Sequence, residues 1–137
     1  MKQKDAVNAY ISAKKLNSLD VTPMTAQTIF ELFRALQPAW DFQLQEEQKI
    51  FAKHPKLDVG TLSIKMENPD DLEEKANAEK EITEINQELK DLANVETVIN
   101  FQKRNINAMF DKNIKVSGED IANLDPFITF VYGPMDK

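Results

Sequence analysis

One histidine, four serines and no cysteine bound the chemistry that this 137-residue chain can perform. Without cysteine there are no disulfides, thiol nucleophiles, zinc ribbons or iron–sulfur ligands, a composition that fits a reducing compartment. His54 stands alone, so any site needing two imidazoles is excluded. None of Ser12, Ser18, Ser63 and Ser117 lies in the G-x-S-x-G elbow of a serine hydrolase. The three glycines, Gly60, Gly118 and Gly133, are too widely spread for a dinucleotide or phosphate-binding loop. Glu84 and Glu88 lie one helical turn apart, but no E-x-x-H accompanies them, so a di-metal bundle site is not expected. Asp70 and Asp71 lack the D-x-D-x-D-G spacing of a calcium loop. His54 precedes Pro55 at the end of a helical pattern, where the helix dipole favours an imidazolium; this reads as structure rather than as a general base. The expectation is therefore no enzyme, no cofactor and no metal, and binding becomes the question.

The elements that would present a binding surface follow from periodicity. Residues 2–19 place Ala6, Tyr10, Ala13 and Leu16 on one stripe at helical spacing, before a short turn at Asn17, Ser18 and Asp20. Thr22 then offers an N-cap and Pro23 occupies the first helical position, where its missing N–H costs nothing. Ile29, Phe33, Leu36, Trp40, Leu44 and Phe51 continue as one apolar stripe to about residue 53. Roughly thirty residues of helix span about 45 Å. Pro38 sits inside that run and either bends the helix or breaks it in two. His54-Pro55 ends it.

Between 57 and 66 Leu62, Ile64 and Met66 alternate with polar residues, which suggests a short strand or an extended loop. Asn68-Pro69 repeats the cap-then-proline signal, and Asp70, Asp71, Glu73 and Glu74 crowd the helix start, where the dipole favours anions. Leu72, Ala76, Ile82, Ile85, Leu89 and Leu92 make the stripe of a third helix, running to about residue 93. From Ala78 its steps match a heptad seam. Two long helices joined by a short connection imply an antiparallel hairpin whose stripes cover each other, with the first helix across their base.

The last third is less regular. Val95, Thr97, Ile99 and Phe101 alternate like a strand, while Val95, Val98, Ile99, Ile106, Met109 and Phe110 also fit a helical face; extended structure near 95–101 is the expectation. Ile114 and Val116 suggest another short strand. Ser117 caps a brief helix over 118–124 with Asp120 three residues on, a short-chain capping box, and Asp125-Pro126 stops it. Phe127, Ile128, Phe130, Val131 and Tyr132 are apolar for a tail and must pack on the hairpin or on another chain.

Charge narrows the partner. The chain carries a net −6 with only two arginines, Arg34 and Arg104, which argues against direct nucleic-acid binding. From 67 to 96 eleven acids face three lysines, so that segment holds −8 and the remainder +2. Such a run is either the solvated face of a helix or a mimic of a nucleic-acid backbone that occupies a basic partner.

The order of features resembles small proteins encoded by tailed phages of low-GC Gram-positive bacteria. The resemblance rests on Val7-Asn8-Ala9-Tyr10 in the first helix and on Lys15-Leu16-Asn17 before the turn. It continues in Gln45-Glu46-Glu47-Gln48-Lys49 near the end of the second helix and Leu92-Ala93-Asn94-Val95-Glu96 at the end of the third. It closes on Leu124-Asp125-Pro126-Phe127-Ile128. The insert at 57–66 and Pro38 depart from that pattern. The resemblance implies a phage or prophage origin and a helical hairpin with a small β element, and it carries over no catalytic residues.

Composition, 42% apolar and 29% charged, is that of one globular domain, 1–137, with no apolar run of membrane-spanning length and no apolar stretch behind the first lysines to make a signal peptide. The fold expected is mainly α: an antiparallel long-helix hairpin with a short N-terminal helix and a small β or extended C-terminal element. The function expected is a non-enzymatic protein-binding module in the cytoplasm of a bacterial host or associated with the virion. It would be a virion or tail assembly factor or a small structural component, with a phage structural protein as partner. Trp40 is most simply a core residue, yet a lone tryptophan at a helix contact can anchor a partner; with Phe127, Phe130 and Tyr132 it forms the expected binding surface. The alternative is an acidic inhibitor of a host nucleic-acid enzyme or defence nuclease, acting through Glu81, Glu84 and Glu88. A homodimer forming a four-helix bundle is compatible with both, and neither needs nucleic acid or membrane.

Overall fold

In the computed structural model the residues described are 1–107 and 116–131. The chain is mainly helical, and it divides into two compact units, one of residues 1–41 and 96–137 and the other of residues 42–95. The boundary falls inside the second helix.

The first unit begins with α1 (Gln3–Asn17), which buries Ala6, Ala9, Tyr10, Ala13 and Leu16 along the stripe expected of it. The helix α2 (Pro23–Ala52) starts at the proline and runs unbroken through Pro38. Its first half buries Ile29, Leu32 and Leu36, the latter two with no exposed surface. Beside Pro38, the amide nitrogen of the buried Gln3 donates to the carbonyl of Ala39 at 2.7 Å, which ties α1 to α2. The remaining walls of this core come from the C-terminal third. β3 (Arg104–Asn107) pairs in parallel with β4 (Ile128–Val131), Arg104 against Ile128 and Asn107 against Val131. Parallel pairing requires a crossover, and α4 (Gly118–Leu124) lies on it. Its N-terminus is the expected capping box: Ser117 accepts from the Asp120 amide at 3.1 Å and the Asp120 carboxylate accepts from the Ser117 amide at 3.3 Å.

Residues 95–101 are non-helical, in keeping with the extended structure expected there, and two other expectations change. Residues 97–101 do alternate, Thr97, Ile99 and Phe101 inward and Val98 and Asn100 outward, but they form no ladder; the only strand-like pairing in this stretch is a bridge between Lys2 and Glu96, and the ladder starts at Arg104. Alternation reports which side chains are covered, and here the cover is a helical core rather than a neighbouring strand. The first half of α2 is covered by α1, α4 and the β3–β4 pair, not by the third helix. Phe127 and Ile128 are 4% and 2% exposed and belong to this core, so the tail is occupied within its own unit. The strand expected at 114–116 lies largely outside the described residues, as do Met109, Phe110 and Tyr132; Val116 packs on the core.

The second unit holds the end of α2, a minimal hairpin and α3 (Leu72–Ala93). β1 (Leu57–Asp58) and β2 (Ser63–Ile64) pair antiparallel, Leu57 against Ile64. In the turn between them the Asp58 carboxylate accepts from the Gly60 amide at 3.0 Å, and Leu62 takes a φ of 50°, a left-handed conformation that costs a residue with a Cβ about 1–2 kcal/mol. The core is small: Ile50, Ile64, Ile85 and Leu92 are buried, with Phe51, Leu57, Ala78, Ile82 and Leu89 against them. The heptad seam from Ala78 onward is therefore the buried face. Leu72 and Ala76 are not on it; Leu72 is 82% exposed. The cap also moves. Asp71, not Asn68, caps α3 by accepting from the amides of Glu73 and Glu74, while Asn68 and Pro69 form a turn in which the Asp71 amide reaches the Asn68 carbonyl at 2.9 Å. A carboxylate at the cap gains from the helix dipole as well as from its hydrogen bonds.

Candidate functional site

The groups with chemistry gather where α2 ends. Its last turn closes with the amides of Lys53 and His54 on the carbonyls of Ile50 and Phe51, at 3.2 and 3.0 Å, and Pro55 cannot extend it. The two side chains thus leave the helix end together. On α3, Glu81, Glu84 and Glu88 stand at intervals of three and four, which puts them on one face. The His54 Nδ1 lies 2.7 Å from Glu81 Oε1 and Nε2 lies 3.7 Å from Glu88 Oε2. Lys53 Nζ donates to Glu88 Oε1. The imidazole is 11% exposed and lines an open cavity of about 390 Å³ together with Lys53, Glu84, Gln87 and Glu88.

The hydrogen bond from Lys53 pulls the Glu88 carboxyl below its ordinary range; burial pushes the other way, and the charges of Lys53 and His54 add to the lowering. The sequence alone offers no partner for His54. Its partners come from 27 and 34 residues further on, and only the antiparallel register of the two helices could have pointed to them.

Of the other nominated residues, Trp40, Phe127 and Phe130 sit in the first unit, in its core or packed on it. Trp40 stacks on Tyr10 with ring centroids 4.6 Å apart, and Phe33 covers the same tyrosine at 4.9 Å. Phe127 meets Phe101 edge-on at 6.1 Å. Phe130 packs against the same core, partly buried. Trp40 and Phe127 are thus engaged by neighbours in their own unit: burying aromatic rings yields more than leaving them exposed, and the C-terminal third supplies the partner surface. Nearby, Arg104 pairs with Glu31 and lies 5.1 Å over the Phe101 ring. Sequence reasoning also passed over Asp120 as a hub. Besides its capping role it accepts from Ser12 Oγ at 2.9 Å and Lys15 Nζ at 3.0 Å, so it joins α1 to α4. Burial raises its pKa, and the hydrogen bonds from Lys15, Ser12 and Ser117 outweigh that and hold it below the ordinary aspartate range.

Charge divides between the units. By sequence, residues 1–41 and 96–137 contain ten acids and ten bases, whereas residues 42–95 contain thirteen acids and seven lysines. The whole net charge of −6 thus belongs to the second unit. That unit also carries an apolar groove of about 430 Å³ between β2 and α3, floored by Ile64, Met66, Ala78 and Ile82 and rimmed by Leu62. Glu73, Glu79, Glu84 and Asp91 point into solvent on α3.

No family model, curated protein or solved structure matches the chain. Among the described residues, no helix is long and apolar enough to cross a membrane, and no cluster of three or more histidine, aspartate or glutamate side chains is arranged to hold a metal ion.

Proposed function

We propose that this chain is a non-enzymatic protein-binding module of phage or prophage origin, and that its acidic second unit is the part that meets the partner. The observation that carries this reading is the separation of charge: a neutral unit with a large closed core beside, in sequence, a small-core unit holding the entire −6. A surface of that kind, with an apolar groove among its acids, suits a basic protein partner, because complementary charge steers encounter and apolar contact supplies affinity. The reactive groups support binding over catalysis. His54 faces carboxylates on both ring nitrogens, and Asp120 is saturated by donors from its own unit. The phage origin rests on the sequence resemblance.

Within this reading two partners differ. A virion or tail component would be held by apolar contact, and an inhibited nuclease or polymerase by charge. The concentration of acid on α3 favours the second enough to test it directly. Tagged protein is used to capture partners from host lysate, with elution in rising salt, beside a variant carrying E73K, E79K, E84K and D91K. All four side chains are exposed, and none is an ion-pair partner of Lys53 or His54. The expected result is a basic partner released at moderate salt and lost by the variant, since exposed charges are screened within about 8–10 Å at physiological ionic strength. Equal capture by both proteins would overturn the acidic surface. A structural protein retained at high salt would select the assembly role.

A further inference from the structure

The protonation state of His54 follows from what its two nitrogens face. A carboxylate can only accept, so the 2.7 Å contact with Glu81 requires a hydrogen on Nδ1. A neutral imidazole has one N–H, and this contact uses it. Nε2 then presents a lone pair toward Glu88 Oε2, 3.7 Å away, an oxygen that is buried and has no hydrogen-bond donor. Acceptor faces acceptor, and a buried oxygen stays unsatisfied, which is costly. A proton on Nε2 turns that opposition into an ion pair at 3.7 Å, and a small approach of the ring would give the orphaned oxygen a donor.

The surroundings favour that proton. From α3 the imidazole meets Glu81 and Glu88, with Glu84 lining the same cavity; from its own side the charged neighbour is Lys53, which is spent on the other oxygen of Glu88. Lys56 and Lys65, flanking the hairpin strands, line the space on the far side of Glu81. We infer that His54 is a proton-operated clasp: protonated, it bridges Glu81 and Glu88 and fastens the end of α2 to α3; neutral, it releases Glu88 and loosens the second unit. The device sits where it has leverage, since a core of four buried residues leaves a single polar tie a large share of the local stability. This inference goes beyond the binding role and does not depend on it.

His54 is the sole histidine, so its ring resonances report the clasp without assignment work. The test follows those resonances by NMR from pH 5 to 9 in the native chain and in E88Q, and measures amide protection factors across α3 in the native chain and in H54Q. Removing the Glu88 charge should lower the His54 midpoint. In the native chain α3 protection should rise severalfold between pH 8 and pH 6, while H54Q stays flat and the amides of α1 change in neither protein. Glu88 keeps its charge across that interval, because Lys53 holds it below the ordinary carboxylate range. An unchanged midpoint in E88Q, or a native α3 profile that is flat or the same as in H54Q, would overturn the clasp. Should H54Q fail to fold, the native chain and E88Q decide the matter by the midpoint alone.

Discussion

Asp120 and Glu88 are both carboxylates held below their ordinary range, one in each unit, and they reach that state by different routes. Asp120 is 5% exposed and both of its carboxylate oxygens have donors: Ser12 on one, Lys15 and the Ser117 amide on the other. Glu88 is partly exposed, takes Lys53 on one oxygen and leaves the other buried without a donor. The first is a completed joint between two helices. The second is a joint with one bond open, and the group that can close it is a histidine. The contrast extends to the hydrophobic cores. Among the described residues, eleven buried side chains form the core cluster of the neutral unit and four that of the acidic one. The neutral unit can hold its shape by burial, whereas the acidic unit leans on polar contacts that pH and salt can alter.

The strongest way to break this comparison is to cut the large core. Leu32 has no exposed surface, and Leu32→Ala should cost about 3 kcal/mol from lost burial and the cavity left behind. Denaturant unfolding followed by Trp40 fluorescence reads that unit, because Trp40 stacks on Tyr10 within it. A loss below about 1 kcal/mol would mean that this core is not the main source of its stability.

Next in size is Asp120→Ala, which removes the capping acceptor and strands the donors of Ser12 and Lys15; about 2 kcal/mol is expected. The pH dependence has a definite sign. A carboxyl whose folded value lies below the ordinary 3.8 binds its proton less tightly when folded. Its stabilisation is complete above that range and is lost as pH falls through the folded value. Acid unfolding of the native chain should therefore steepen below about pH 4, and the variant should lack that component. An identical acid profile in the two proteins would show that Asp120 contributes nothing by charge.

The smallest effect sharpens the contrast. Lys53→Ala should cost well under about 1 kcal/mol, because Lys53 is 57% and Glu88 35% exposed and water already screens the pair. Raising the salt to about 0.5 M should erase the difference between this variant and the native chain. The Asp120 difference should persist under the same salt, since its carboxylate is shielded from solvent. Equal salt sensitivity at both sites would collapse the distinction between the two joints.

Several features were legible in the residues alone. Pro23 opens α2, the run from Ala78 to Leu92 is the buried seam of α3, and Ser117 with Asp120 forms a capping box. Each depends on interactions within about one turn, so spacing along the chain is enough to reveal it. Leu72 shows where that logic stops. It continues the stripe by spacing, yet it is exposed because it is the first residue of α3 and nothing covers the helix start. Asn68 fails as a cap for a related reason: Asp71 lies closer to the covered seam and offers a carboxylate.

Sequence by itself determined the helices, the Ser117–Asp120 capping box and the concentration of acid between 67 and 96, because periodicity, backbone donors and formal charge are local properties. Only the tertiary structure decided that the stripe of α2 serves two cores, that Phe127 is buried in its own unit, and that His54 meets Glu81 and Glu88. Those outcomes depend on which surfaces pair across 27 residues or more. That choice is made by burying the greatest apolar area while leaving the fewest polar groups unsatisfied, a condition on the whole chain that no short window contains.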